Sequence, residues 1–126
     1  MKVNKSIGMA LTFAAIMCFP SVSNAEDSAL VTHCKETSGK IHTGKILTEY
    51  SMDSISDSED KKVMNIFAKG GGQWQITFSS GYITSQTQSE MRHLAMTAIL
   101  TGAKVDICSD GKTSPQKVWG MQMLAD

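Results

Sequence analysis

The sequence is short of most features that announce a chemistry. Its 126 residues carry 12 basic and 12 acidic side chains. A chain without a basic excess has no long-range pull on phosphate backbones or anionic membranes, which argues against nucleic acid as a partner. No apolar run reaches the ~20 residues that cross a bilayer as a helix. Cysteine is scarce, three residues in all, with no C-x-x-C for redox catalysis and no metal-ligand spacing. G-x-S-x-G, phosphate-loop and G-x-G-x-x-G patterns are all missing. The three histidines, His33, His42 and His93, are not linked by H-x-x-x-H or H-E-x-x-H and read as surface or structural groups. Asp57, Glu59 and Asp60 cluster, yet without the regular oxygen spacing and turn glycine of a calcium loop. The expectation is a protein with no catalytic residue, metal or cofactor.

What is present begins with a processing signal. Lys2 and Lys5 precede the apolar run Ile7 to Phe19, and Ser23-Asn24-Ala25 follows. This is the pattern of a secretory signal peptide over residues 1–25, leaving one domain at 26–126 and an exported protein. Cys18 does not suit a lipoprotein site, because the bulky Met17 precedes it. Loss of Lys2 and Lys5 leaves 10 basic against 12 acidic residues, a net charge of −2. Cleavage also turns three cysteines into a pair, Cys34 and Cys108, which an oxidising compartment should join. Closing a loop of about 75 residues is worth ~4–5 kcal/mol by chain-entropy arithmetic.

Along the remaining chain, "SALVTHC" reads as a short helix capped by Ser28. Two strand-like pieces, "KIHTG" and "KILTEYSM", are separated at Gly44, and "DSISDSEDKK" reads as a polar surface loop. "KVMNIFAK" and "QWQITFS" flank Gly70-Gly71-Gly72, with Trp74, Ile76 and Phe78 alternating against polar residues, a hairpin with one buried face. A capping box over Thr87 to Glu90 opens a helix that Gly102 stops. Strands "AKVDICS" and "KVWGMQML" complete the chain. The predicted fold is mainly β with one long helix, a small Greek-key barrel of OB type.

Two features ask for more than a core. Met91, Leu94, Ala95 and Ala98 form one apolar stripe on the main helix, while Met96 and Leu100 lie roughly opposite it at 100° per residue. That pair is either a small surface patch or a second contact, of which subunit packing is the simplest. Trp74 reads as core. Trp119, beside Gly120, is either core or an aromatic platform at a sugar-holding cleft.

At this level the sequence resembles a known family. "TSGKIHTGKILTEY", "GGGQWQI", "SEMRHLAMTAILTGAKVDIC" and "SPQKVWGMQMLAD", in that order with the two cysteines, are similar to the B subunit of the type II heat-labile enterotoxins, one-A, five-B bacterial toxins. The resemblance implies an OB-type fold with the same single disulfide. It implies a homopentameric ring with the long helices around a pore, an ADP-ribosylating A subunit as partner, and host-cell ganglioside sugars as ligands. The B subunit itself is implied to be non-catalytic. Family threonines at the sugar-binding end match Thr37 and Ser38 here, with serine keeping the hydroxyl and losing the methyl. A further one falls in "SISDSED", where Ser56 or Ser58 stands in a loop about three residues longer than the family's. Trp119 matches a family tryptophan. Two other readings stay open on the residues alone: a glycan-binding adhesion or carrier ring without a toxic A subunit, and a small periplasmic enzyme.

Overall fold

The computed structural model describes residues 27–54, 62–78 and 83–125. The expected signal peptide, Ser56 and the centre of the acidic loop lie outside them. Seven elements follow one another: α1 (Ala29–Glu36), β1 (Lys40–Ser54), β2 (Lys62–Ala68), β3 (Gln73–Thr77), α2 (Ser85–Thr101), β4 (Lys104–Ser109) and β5 (Gln116–Met123). The strands close into a barrel in the order β1-β2-β3-β5-β4. The chain is thus mainly β, with two helices rather than one, as the Ser28-capped segment foretold: the Ser28 hydroxyl accepts from the Val31 N–H at 3.3 Å.

The barrel closes because one strand serves two partners. The two pieces expected around Gly44 are a single strand of 15 residues, β1. Its first half pairs antiparallel with β4 and its second half with β2, with register shifts after His42 and after Leu47. Gly44 sits at φ +61°, and its N–H donates to Asp106 Oδ1 at 2.8 Å. A residue free to take positive φ makes a bulge that bends the strand instead of ending it. Asp106 also accepts from Gln122 Nε2 at 2.7 Å through its other oxygen, so the bend is tied across β4 to β5. The last seam is short: β3 meets β5 in parallel only at Trp74 with Gln116 and Gln75 with Lys117.

The expected hairpin joins β2 and β3 in antiparallel register, Ile66 opposite Trp74 and Met64 opposite Ile76. All three glycines of its turn have positive φ, between 83° and 115°, a run that side-chain-bearing residues do not tolerate. Ile66, Trp74 and Ile76 are buried together with Leu47, Met64, Val105, Ile107 and Val118. Helix α2 covers this core with Met91, Ala95 and Ala98, and Leu94 packs partly against it. Gln88 and Arg92 anchor it to β3, donating to the Thr77 hydroxyl at 2.5 Å and the Thr77 carbonyl at 3.3 Å, and the Arg92 guanidinium lies 3.9 Å from the Phe78 ring centre.

Helix α2 starts earlier than expected. Thr84, not Thr87, is the N-cap: its hydroxyl accepts from the Thr87 N–H at 3.2 Å and pairs with the Thr87 hydroxyl at 2.9 Å. Thr87 thus lies inside the first turn, three residues after the cap, and meets it hydroxyl to hydroxyl. Gly102 ends the helix in the left-handed conformation, as expected.

Candidate glycan-binding cleft

The disulfide places the site. Cys34 near the end of α1 is bonded to Cys108 in β4, with both sulfurs buried, so a helix that the barrel core does not enclose is pinned against the outside of β4 and β5. Two glycines let it settle there. A Cβ at Gly120 would lie 2.6 Å from Leu30 Cδ1, and one at Gly39 would lie 2.8 and 2.9 Å from the two disulfide sulfurs. Between α1 and β5 a cleft of about 820 Å³ opens, lined by Leu30, His33, Thr37, Ile83 and Trp119 among others.

Of the residues singled out in the sequence, Thr37 and Trp119 meet in this cleft. Trp74 is buried, as expected, and Trp119, which the sequence left open between core and cleft, is 38 % exposed. Thr37 has a second task. Its hydroxyl donates to the carbonyls of His33 (2.9 Å) and Cys34 (3.2 Å) and so satisfies the C-terminal end of α1. The hydroxyl hydrogen is turned inward, and the oxygen's lone pairs remain to accept from a ligand. Ser38 follows at φ +60°, exposed, the one described non-glycine residue in the left-handed region. Backbone strain of this kind, about 1 kcal/mol, collects at functional sites. His33, read as a surface or structural group, lines the cleft; its place one turn before Thr37 on α1 was the available signal. Met96 and Leu100 lie away from the cleft, on the outer face of α2, 37 % and 84 % exposed.

Sequence reasoning missed a second polar cluster, at the other end of β5. His42 Nε2 lies 3.0 Å from Ser109 Oγ and 3.1 Å from Gln116 Oε1, and the Ser109 hydroxyl donates to the same Gln116 oxygen at 2.6 Å. The ring stands edge-on to Trp74 at 5.0 Å between centres. Burial lowers the His42 pKa from its ordinary value; the bond to Gln116 raises it and the charges of Lys40 and Lys45 lower it further. Nearby, burial raises the Asp110 pKa, but hydrogen bonds from Thr113, Lys112 and Lys117 together outweigh it and the net shift is downward. Both shifts have one sign of consequence. A group with a depressed folded-state pKa contributes stability that is complete above its unfolded pKa and is lost as pH falls through the folded one. Stability therefore declines below about pH 6.5 through His42 and again below about pH 4 through Asp110. Melting temperatures from pH 7.5 to 5 will fall in the native protein and fall less steeply in His42→Gln; equal slopes would remove His42 as the cause.

A closed five-stranded barrel with a disulfide-pinned outer helix and a long helix across its core is the fold of the enterotoxin B subunits. The GM1-bound form of the ECX AB5 holotoxin includes a chain that superposes with a TM-score of 0.64 at 15 % identity, over 79 % of this chain and 98 % of that one. The particular family follows from sequence. The chain matches the model of the family described as "Type II heat-labile enterotoxin, B subunit (LT-IIB)" over residues 1–126, and it belongs to that family. It is 31 % identical over 94 residues to the B chain of heat-labile enterotoxin IIB of Escherichia coli, covering 75 % of each chain. It is 29 % identical over 90 residues to the enterotoxin IIA B chain of the same organism, covering 71 % of each. This is a family of secreted bacterial toxins, and its B subunit is the non-catalytic one.

Proposed function

We propose that the chain, exported after removal of residues 1–25, forms an OB-type domain over 26–126. Five copies assemble into a ring that carries an ADP-ribosylating A subunit and binds ganglioside sugars on host cells. The observation that carries the sugar site is the meeting of Thr37 and Trp119 in one cleft. An exposed indole offers a face for sugar C–H groups, and the threonine oxygen offers an acceptor for a sugar hydroxyl. Ser38, at the end of α1, is the further contact we assign to this site; Ser56 lies outside the described residues.

Assembly is supported by two surfaces. Helix α2 presents Met96 and Leu100 outward. Strand β5 pairs with β3 only as far as Lys117, so among the described residues its far edge continues to Met123 with no strand beside it. An unpaired edge and an apolar helix face are the kinds of surface that a head-to-tail ring covers.

The test is the native mass of the purified, oxidised protein, with and without ganglioside headgroup sugars. A five-chain mass that takes up a sugar supports the reading; a monomer that takes up none overturns it. At the site, Trp119→Ala will weaken sugar uptake about tenfold, as loss of a ~1.4 kcal/mol contact does. Ser38→Gly separates strain from function: stability should hold or rise by up to ~1 kcal/mol, while binding falls with the hydroxyl. Unchanged binding in both variants would remove this cleft as the sugar site.

A further inference from the structure

The barrel is not joined equally firmly all the way round. Four of its five seams run for five residue pairs or more, and the fifth, between β3 and β5, has two, Trp74 with Gln116 and Gln75 with Lys117. His42, on β1, reaches both sides of that short seam. Its Nε2 lies 3.1 Å from Gln116 Oε1 on β5, and its ring stands 5.0 Å from the ring of Trp74 on β3. Ser109, on β4, adds a hydroxyl that donates to the same Gln116 oxygen at 2.6 Å. One histidine therefore holds the first residue pair of the weakest seam from the two strands on the far side. We propose that His42 is a proton-sensitive clasp: on taking up a proton it leaves Gln116 and Trp74, and the barrel opens locally between β3 and β5.

The surroundings of the ring are the first ground, because they oppose a charge on it. Gln116 Oε1 can only accept, so the neutral ring carries its proton on Nε2 and an incoming proton goes to Nδ1. The groups that meet the resulting cation are themselves cationic. Lys40 and Lys45 act on it from β1, and Lys45 and Lys112 line the cleft that His42 borders. The β2–β3 turn and β3 bring only Gly71, Gly72, Gln73 and Trp74 to that cleft, and no carboxylate lines it. Asp106, on β4, is taken up by the Gly44 N–H and by Gln122, and Asp110, after β4, by its own loop and Lys117. Burial works in the same direction as the lysines, and together they outweigh the bond to Gln116. The closed clasp therefore holds a proton less well than an imidazole in water does, and acid favours the form in which the ring has left.

The second ground is what stays closed. Proteins open first where the fewest contacts resist. β3 remains on β2 through pairs from Val63 with Thr77 to Phe67 with Gln73, and β5 remains on β4 from Val118 onwards. Lys117 is tied to Asp110 twice, donating its N–H to Oδ1 at 3.2 Å and accepting the Asp110 N–H on its carbonyl at 3.0 Å. Gln116 lies ahead of the β4 ladder, so its place at the seam rests on β3 and on the side-chain bonds to His42 and Ser109. Opening is thus confined to the start of β5 and to Trp74, which is buried yet borders the cleft. Water reaches that indole once the imidazole has gone.

The test uses oxidised Trp119→Phe protein, in which Trp74 is the remaining tryptophan. Acrylamide quenching of its emission and backbone amide exchange, corrected for the intrinsic pH dependence of exchange, are followed from pH 7.5 to 5. Quenching should at least double. Exchange at Trp74, Gln75, Gln116 and Lys117 should quicken by up to about tenfold per pH unit, the limit for uptake of one proton, while Ile66 and Ile107 stay protected. His42→Gln should abolish both responses. Lys40→Gln with Lys45→Gln removes two charges and no bond of the clasp, so it should lessen them, and it gives the reading should His42→Gln fail to fold. An equal response in His42→Gln, a response indifferent to the two lysines, or loss of protection at Ile66 and Ile107 together with the seam would each overturn the proposal. No readout here involves the ring or the sugar cleft, so the outcome is independent of both.

Discussion

Reducing the Cys34–Cys108 bond will lower the melting temperature of this domain by on the order of 20 °C. The bond spans a sequence separation of 74, and cross-linking a loop of that length removes ~4–5 kcal/mol of unfolded-state entropy. In a domain of about 100 residues each kcal/mol moves the midpoint by roughly 4–8 °C, and total stability is itself only ~5–15 kcal/mol. The loss should be felt first at α1, which rests on the barrel through the disulfide and Leu30. The check is thermal unfolding of oxidised protein, reduced protein and Cys34→Ser with Cys108→Ser; midpoints within a few degrees of one another would show that barrel packing suffices. Gly39→Ala offers an independent probe, since its Cβ would press on both sulfurs.

Leu100→Asp will leave a folded chain that no longer assembles. The side chain is 84 % exposed in the single chain and outside the buried core, so the barrel has no reason to unfold. A carboxylate placed in a packed helix interface, by contrast, carries a desolvation penalty. If five sites act together, each later contact at a membrane surface is effectively intramolecular, and losing the ring forfeits ~10²–10⁴ in cell-surface avidity without touching a sugar contact. Native mass should show single chains, and binding to sugar-bearing cells should fall by that factor while uptake of free headgroup sugar is retained. A five-chain mass in the variant would mean that Leu100 faces water in the assembly.

Much of this protein is legible along the chain because its signals are local. The stripe of Met91, Ala95 and Ala98 is a 3.6-residue period, the Trp74 and Ile76 alternation is a two-residue period, and Gly102 and the triple glycine mark points where the backbone must take positive φ. The errors fall where two local signals compete. Thr84 and Thr87 are both good caps, and only the hydrogen bonds between them decide which is outside the helix. Gly44 reads equally as a break or a bulge, and the choice is made by Asp106, far along the chain, accepting its N–H.

By itself the sequence determined the element types, the buried faces, the pairing of Cys34 with Cys108, and the family, through ordered segments that share spacing with known toxins. The tertiary structure alone decided what stands beside what. Thr37 and Trp119 line one cleft because the disulfide and Gly120 bring α1 down onto β5, and His42, Ser109 and Gln116 come together because β4 lies between β1 and β5 in the closed barrel. Local propensity acts over a few residues, whereas a cleft is built from groups many tens of residues apart, and their meeting depends on the closure of the barrel as a whole.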